Sequence, residues 1–194
     1  IFSDAYNHVV RRINVTLNIV ETLAGQSGLF GYTNGSKAKA TFYYPFGIVY
    51  NDDGTILVCD DWNHCVRIVE PCGDVKTLVG SPAHMQYKDG PIKEAHMVYP
   101  GYICKNDKTG ELYIASEHGI RVIKKNIVST IWAHASNVQT NYLRISGIAI
   151  DRYGDLYFSL AESKSDDRTT EIHKSEGIYK IFLSMEKRHV VKLR

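Results

Sequence analysis

The sequence predicts an all-β chain built from repeated units of four antiparallel strands. An eight-residue pattern occurs twice, 56 residues apart, as DAYNHVVR at 4–11 and DDWNHCVR at 60–67. The following segments also match: 20–25 (VETLAG) returns as 75–80 (VKTLVG), and 40–48 (ATFYYPFGI) returns as 95–103 (AHMVYPGYI). A period of this length, filled with short apolar runs and glycine turns, is typical of stacked or radial repeat proteins. No segment has the apolar spacing of a helix over three turns.

The first complete unit is a meander of short strands. Its predicted strands are 44–50, 55–59, 64–69 and 75–79, separated by turns at 52–54, 60–63 and 71–74. The turns are rich in Asp, Asn, Gly and Pro, which favour tight reversals between antiparallel strands.

The same alternation of short apolar runs and turn residues predicts the strands of the other units. The third unit has predicted strands 99–103, 111–115, 119–124 and 126–132, and the fourth has 145–150, 155–159, 177–181 and 188–193. The single domain 1–194 therefore holds about 3.7 units, at 1–25 (partial), 44–80, 99–132 and 144–194. Residues 162–176 (ESKSDDRTTEIHKSE) are charged and poorly apolar, and are interpreted as a solvent-exposed insertion.

Composition restricts the classes of function. The net charge is +2 with 23% charged residues, well short of the strong basic field of a dedicated nucleic-acid binder. No apolar stretch approaches the roughly 18 residues that a membrane-spanning helix needs. The four cysteines include no C-x-x-C pair, so a structural zinc site is not expected.

The repeated residues resemble the NHL-repeat β-propeller family, which is named for an Asn-His-Leu-like triplet. The residues that carry the resemblance are Asp4, Asn7, His8 and Arg11 in the first copy, Asp60, Asn63, His64 and Arg67 in the second, and Arg121 in the third. The resemblance implies that each unit is a propeller blade. Because NHL propellers usually have six blades, additional blades are expected from the same chain.

A residue that recurs in each unit is expected to build the unit rather than to perform chemistry. We interpret Asp60 with Arg67, and Asp4 with Arg11, as ion pairs that set the strand register across a hairpin. His8 and His64 are expected to hold their hairpin turns by hydrogen bonds.

Enzymes do occur on six-bladed propellers, including lactonases and an amidating lyase, with metal ligands at the mouth of the central channel. Here the predicted inner strands begin with YPFG at 44–47, YPGY at 99–102 and ISG at 145–147, which offer no convergent ligands. No G-x-S-x-G, H-E-x-x-H or P-loop motif is present. We therefore expect no catalytic residue, metal or cofactor, and a metal-dependent propeller enzyme is the least favoured alternative.

The expected function is that of a rigid, non-enzymatic scaffold that presents loops to a protein partner within a larger protein or complex. The loops are 26–44, 81–99 and 133–144, with the insertion 162–176. The candidate contact residues are Tyr43, Tyr44, Tyr87, Tyr99, Lys37, Lys39, Lys88 and Lys93. The alternative is single-stranded RNA binding, which uses clustered lysines with aromatic stacking platforms. The low net charge favours a protein partner.

Overall fold

The computed structural model describes residues 1–116, 119–133, 142–163, 177–183 and 190–193. Within these ranges the strands form four antiparallel sheets that follow one another along the chain. Apart from a short edge strand in the third sheet, consecutive strands are neighbours in each sheet, as in a propeller blade. The predicted fold class, an all-β propeller of antiparallel blades, is confirmed.

The first two blades share the same local design. Blade 1 comprises β1 (Phe2–Asp4), β2 (Val9–Asn14) and β3 (Ile19–Ala24). Blade 2 comprises β4 (Pro45–Tyr50), β5 (Ile56–Asp60), β6 (Cys65–Val69) and β7 (Val75–Gly80). A 3-10 turn joins β1 to β2 at Ala5–Asn7, and another joins β5 to β6 at Asp61–Asn63.

The last two blades depart from the predicted strands. Blade 3 comprises β8 (Gly90–Pro91), β9 (Tyr102–Lys105), β10 (Leu112–Ser116), β11 (Gly119–Lys124) and β12 (Ile127–Ala133). Blade 4 comprises β13 (Tyr142–Ile150), β14 (Leu156–Ser163), β15 (Gly177–Ile181) and β16 (Val190–Lys192). β8 was predicted as part of a loop, but it pairs with β12 and adds a fifth strand to its sheet.

The hairpin of β13 and β14 is longer than predicted, because the backbone ladder continues to the pair Tyr142 and Ser163. The first two residues of the proposed insertion 162–176 therefore belong to a strand. The remainder, 164–176, lies outside the described residues, as do residues 134–141 of the predicted loop 133–144.

Neighbouring blades touch along one edge strand of each sheet. β4 lies beside β1 and β9, and β9 lies beside β13. The backbone N–H of Gly47 in β4 donates to the carbonyl oxygen of Gly101 over 2.8 Å. A Cβ atom on Gly47 would lie 2.7 Å from that oxygen, so this close approach requires glycine.

Three apolar clusters fill the spaces between successive blades. In the cluster between blades 1 and 2, Val69 and Val75 are each 1% exposed. Their counterparts in blade 1, Ile13 and Val20, are 54% and 56% exposed. The same positions are thus buried wherever another blade packs on them.

The described residues contain no helix long and apolar enough to span a membrane.

Candidate partner-binding surface

A buried ion pair lies below the 3-10 turn of blade 2. Nη1 of Arg67 donates to Oδ2 of Asp60 over 2.7 Å, and both side chains are completely buried. The Asn63 amide donates to the same oxygen over 2.8 Å, and the Tyr43 backbone N–H donates to Oδ1 over 2.7 Å. The expected pairing of Asp60 with Arg67 is present, and it also ties the turn to the start of β4.

Burial controls the protonation of this carboxylate. Desolvation raises the pKa of Asp60 to about 6, against the lowering effects of Arg67, Asn63 and the Tyr43 N–H. The equivalent pair, Arg11 Nε to Asp4 Oδ2, is also 2.7 Å long but partly exposed. Burial acts to raise the pKa of Asp4 as well, but hydrogen bonds from Asn7 and Arg11 outweigh it and lower the pKa. The pKa of the aspartate in this motif is therefore raised in blade 2 and lowered in blade 1.

The same Arg67 guanidinium also binds the loop that precedes β4. Nη2 donates to the Thr33 carbonyl oxygen and to Oδ1 of Asn34, each over 2.9 Å. Nη1 also donates to the Thr41 carbonyl oxygen over 3.3 Å. The guanidinium carbon lies 4.8 Å from the centre of the Tyr32 ring, within the range of a cation–π interaction. Arg67 therefore fixes the loop 26–44 on blade 2.

Blade 3 keeps this arginine but not the aspartate. Arg121 pairs with Ile114 across the sheet, as Arg67 pairs with Val58. The aspartate position, two residues further along the strand, is occupied by Ser116. Among the described residues, its buried hydroxyl oxygen has no hydrogen-bond partner.

The carboxylate of blade 3 comes from the preceding loop instead. Asp89, at the position equivalent to Asn34, accepts a hydrogen bond from Nη2 of Arg121. Its second oxygen accepts from the Thr130 backbone N–H over 2.8 Å. The Arg121 guanidinium lies 5.6 Å from the centre of the Tyr87 ring, which repeats the contact with Tyr32 in blade 2. The carboxylate that pairs with the arginine therefore comes from a strand in blade 2 and from the preceding loop in blade 3.

His8 and His64 were expected to hold their hairpin turns by hydrogen bonds, and the imidazole hydrogen bonds that the structure describes run to the next blade. Each ends a 3-10 turn in the left-handed conformation, with φ of 58° at His8 and 52° at His64. Nδ1 of His8 accepts from the Tyr44 backbone N–H, and Nδ1 of His64 accepts from the Tyr99 backbone N–H, each over 3.2 Å. Each ring therefore ties one blade to the start of the next.

These repeated contacts place a surface of aromatic side chains around the two 3-10 turns. The aromatic surface comprises Tyr6, Phe30, Tyr43, Tyr44, Phe46 and Trp62. Solvent reaches 82% of Tyr6, 60% of Phe30 and 50% of Trp62. Exposed aromatic residues in one contiguous set mark an interaction surface more often than singly exposed ones do.

Two half-buried tyrosines form the centre of the aromatic surface. The Tyr43 ring stacks on Phe30 at a centroid distance of 4.7 Å and lies 5.1 Å from Trp62. The Tyr44 ring meets Tyr6 edge-on at 5.1 Å. The outer rings are therefore held in place by ring contacts within the chain.

Half of the aromatic surface is absent from the next repeat. Phe30 becomes Met85, Tyr43 becomes Val98 and Phe46 becomes Gly101. Tyr44, by contrast, recurs as Tyr99, and the backbone N–H of each donates to Nδ1 of a histidine. Since the scaffold tolerates other residue types at these three positions, the scaffold itself does not require the rings there.

The structure brings together only part of the predicted contact set. Tyr43 and Tyr44 lie in the aromatic surface. Tyr99 packs with its ring 4.4 Å from that of His64, and Tyr87 lies against the Arg121 guanidinium. Tyr87 and Tyr99 thus have structural contacts of their own.

The predicted lysines are all exposed, at Lys37, Lys39, Lys88 and Lys93. Lys37 lies against Gly73 in the turn between β6 and β7, which is the opposite end of blade 2 from Trp62. Lys88 lies 3.6 Å from Glu94. Lys37 therefore lies away from Tyr43 and Tyr44, although all three belong to the loop 26–44, because the loop runs the length of the blade between them.

Four residues of the aromatic surface were missed by the sequence reasoning: Tyr6, Phe30, Phe46 and Trp62. Two features of the sequence indicate these residues. An aromatic residue lies directly before each Asn-His pair, and Phe30 and Phe46 are replaced by non-aromatic residues one repeat later.

In the described ranges, no three His, Cys, Asp or Glu side chains are grouped as a metal site would require. All four cysteines are free thiols, with Cys59 and Cys65 buried.

The comparison with known families identifies the repeat. Residues 42–69 match the model of the NHL repeat. The chain contains an NHL repeat. It includes β4, β5, the second 3-10 turn and β6, and it carries four of the six residues of the aromatic surface.

Similar proteins extend the likeness to most of the chain. Protein SUPPRESSOR OF QUENCHING 1, chloroplastic, from Arabidopsis thaliana is 30% identical over 100 residues, which are 50% of this chain and 9% of that protein. A structural genomics protein of unknown function from Bacteroides thetaiotaomicron superposes with a TM-score of 0.58 at 21% identity, over 79% of this chain and 40% of that one. An auxiliary nutrient binding protein from the same organism gives a TM-score of 0.50 at 22% identity, over 67% of this chain and 34% of that one.

The two superpositions show a shared fold. The chain spans less than half the length of each of these three relatives.

Proposed function

We propose that this chain is a non-enzymatic protein-interaction module that docks a protein partner on the aromatic surface. The observation that carries the proposal is the contiguous exposure of Tyr6, Phe30 and Trp62 around the two 3-10 turns. Aromatic anchors supply large contact area at a low cost in side-chain entropy, and they dominate the energy of many interfaces.

The scaffold beneath supports this role by its rigidity. The Asp60–Arg67 pair, the His64–Tyr99 hydrogen bond and the buried clusters between blades hold the backbone of the aromatic surface in one arrangement. A preorganised surface loses little conformational freedom on binding.

Single-stranded RNA is the competing ligand, and the position of the lysines argues against it. RNA-binding surfaces of this kind interleave cations with stacking rings. The segments that form the aromatic surface, 4–8, 28–31, 43–46 and 61–64, contain no Lys or Arg.

The test is affinity capture of partners with the full-length parent protein, comparing the double variant Tyr6→Ser/Trp62→Ser with the wild type. Tyr50→Ser is the matched control, since Tyr50 is 59% exposed at the opposite end of β4 from Phe46. Each sample is divided into portions with and without ribonuclease. Circular dichroism and thermal melting verify that the variants remain folded.

We expect a set of proteins that survives ribonuclease, is retained by Tyr50→Ser and is depleted at least several-fold by the double variant. Equal capture by the wild type and the double variant would refute the aromatic surface as the docking site. Capture that depends on RNA would replace the proposal with an RNA-reading propeller.

A further inference from the structure

A cavity opens between blades 2 and 3, at the end of the blades opposite to the 3-10 turns and the aromatic surface. Its volume is about 330 Å³, which lies within the range of sites for small molecules. Blade 2 contributes Asn51, Asp52 and Asp53, in the turn between β4 and β5, and blade 3 contributes Lys105 and Leu112. The cavity is therefore built by two blades together.

Charged groups of both signs are held at this cavity. Nζ of Lys105 donates to Oδ1 of Asn51 over 3.0 Å. An ammonium group can donate three hydrogen bonds, and among the described residues the structure gives Lys105 this one. Oδ1 of Asp53 accepts from the Thr55 backbone N–H over 2.9 Å and from the Thr55 hydroxyl over 2.7 Å. These hydrogen bonds, together with the charge of Lys105, lower the pKa of Asp53 against the effect of burial, so that it is present as a carboxylate.

The cavity also has an apolar part. Leu57 lines it from β5 and belongs to the buried cluster between blades 2 and 3. Leu112 lines it from β10 and packs against the same cluster. A ligand of this cavity is therefore expected to combine charged groups with an apolar group, since each would meet its like or its counter-charge.

The repeat does not require a lysine at this place. Lys105 pairs with Leu112 across the sheet of blade 3. The equivalent positions, each one opposite the first residue of the following strand, hold Tyr50 in blade 2 and Ile150 in blade 4. The ammonium group is thus specific to the boundary between blades 2 and 3.

The carboxylates are specific to this boundary as well. Lys108 stands two residues after Asn106, as Asp53 stands two residues after Asn51. Nζ of Lys108 donates to the backbone carbonyl oxygen of Arg152 over 2.6 Å, which joins the turn of blade 3 directly to that of blade 4. Between blades 2 and 3 the same turn position carries a carboxylate that lines a cavity.

We propose that this cavity binds a small zwitterion, with its ammonium group at Asp52 and Asp53, its carboxylate at Lys105 and its apolar group against Leu57 and Leu112. A free amino acid and a short peptide share this chemistry, and they differ in the distance between the two charges. The inference goes beyond the proposed function and does not depend on it, since the cavity and the aromatic surface lie at opposite ends of the blades.

The test is an NMR titration of the isotope-labelled chain with leucine and, in a second series, with glycyl-leucine, whose charges are farther apart. The amide of each ligand lacks the carboxylate, and the N-acetyl form of each lacks the ammonium group. The protein variants are Lys105→Met and Asp52→Asn/Asp53→Asn. Lys93→Met is the matched control, because Lys93 is exposed and does not line the cavity.

We expect at least one of the two zwitterions to cause saturable shifts in the backbone signals of residues 51–55 and 105–112. Its amide and its N-acetyl form should each bind about three- to fivefold more weakly. Lys105→Met should lose the preference over the amide and keep the preference over the N-acetyl form, and the aspartate variant should do the reverse. Lys93→Met should retain both preferences. If the double aspartate variant does not fold, Asp52→Asn alone provides the same comparison.

The inference is overturned if neither zwitterion causes a saturable shift, or if the wild type binds the amide or the N-acetyl form as tightly as the zwitterion. Preferences that persist in both Lys105→Met and the aspartate variant would place the ligand elsewhere and also overturn it. None of these results bears on the capture experiment, which probes the aromatic surface with variants at the other end of the blades.

Discussion

Asp89 pairs with Arg121 across blade 3 and thereby replaces a carboxylate that Ser116 does not supply. The arginine makes the same backbone contacts in both blades: Arg67 donates to the carbonyl oxygens of Thr33 and Thr41, and Arg121 donates to those of Lys88 and His96. The arginine thus occupies the same position in both blades. Its carboxylate partner belongs to β5 in blade 2 and to the loop before β9 in blade 3.

This relationship predicts a rescue. Asp89→Asn should lower the free energy of unfolding by about 1–2 kcal/mol, because the Arg121 guanidinium loses its charged partner. Adding Ser116→Asp should recover most of that loss, since a carboxylate then occupies the position that Asp60 has in blade 2. Urea unfolding of the single and double variants measures both effects. A double variant no more stable than Asp89→Asn would show that the two positions are not equivalent.

Arg67→Ala should destabilise the chain by about 3–5 kcal/mol, because it leaves the Asp60 carboxylate buried without its cation. Arg11→Ala is the matched control in blade 1. Its pair is about a fifth exposed on each side, so we expect a loss of about 1 kcal/mol or less. Chemical denaturation of both variants gives the comparison, and similar losses would contradict the role of burial.

The raised pKa of Asp60 predicts a pH dependence of stability. Because the folded value of about 6 lies above the ordinary value of 3.8, the folded chain keeps this proton in a window where the unfolded chain has lost it. The resulting stabilisation is complete below about pH 4 and is lost as the pH rises through about 6. The free energy of unfolding of the wild type minus that of Asp60→Asn should therefore fall by about 2–3 kcal/mol between pH 4 and pH 7.

Urea unfolding of both proteins at each pH measures this difference. The same experiment on Asp4→Asn should give the opposite slope, since the pKa of Asp4 is lowered and its stabilisation is lost as the pH falls. A difference for Asp60 that grows with pH would show that Arg67 outweighs burial.

Gly47→Ala should destabilise the contact between blades 2 and 3 by about 1–3 kcal/mol, because the added methyl group meets the Gly101 carbonyl oxygen. Gly101→Ala is the control, since no atom lies within 4 Å of a Cβ at that position. We expect it to change stability by about 0.5 kcal/mol or less. Thermal melting of both variants checks the prediction, which fails if Gly101→Ala is the more damaging change.

Pattern alone was sufficient to predict the class of fold and the ion pair of blade 2. Alternation, turn residues and a 56-residue period are local features, and a repeated unit makes the same local contacts in each copy. The pairing of Asp60 with Arg67 followed from their positions on either side of one hairpin. β8 and the long hairpin of β13 and β14 were missed, because backbone pairing decides them and their side chains give little signal.

The location of the aromatic surface could not be derived in the same way. Whether Phe30, Tyr43 and Trp62 meet depends on how the loop 26–44 crosses blade 2 and returns to the 3-10 turn. That path is set by contacts between residues about 30 positions apart, such as those of Arg67 with Thr33 and Asn34. The repeat indicated which residues build the scaffold. Long-range packing determined which aromatic rings were left exposed together, because exposure depends on the whole surrounding chain rather than on neighbours in sequence.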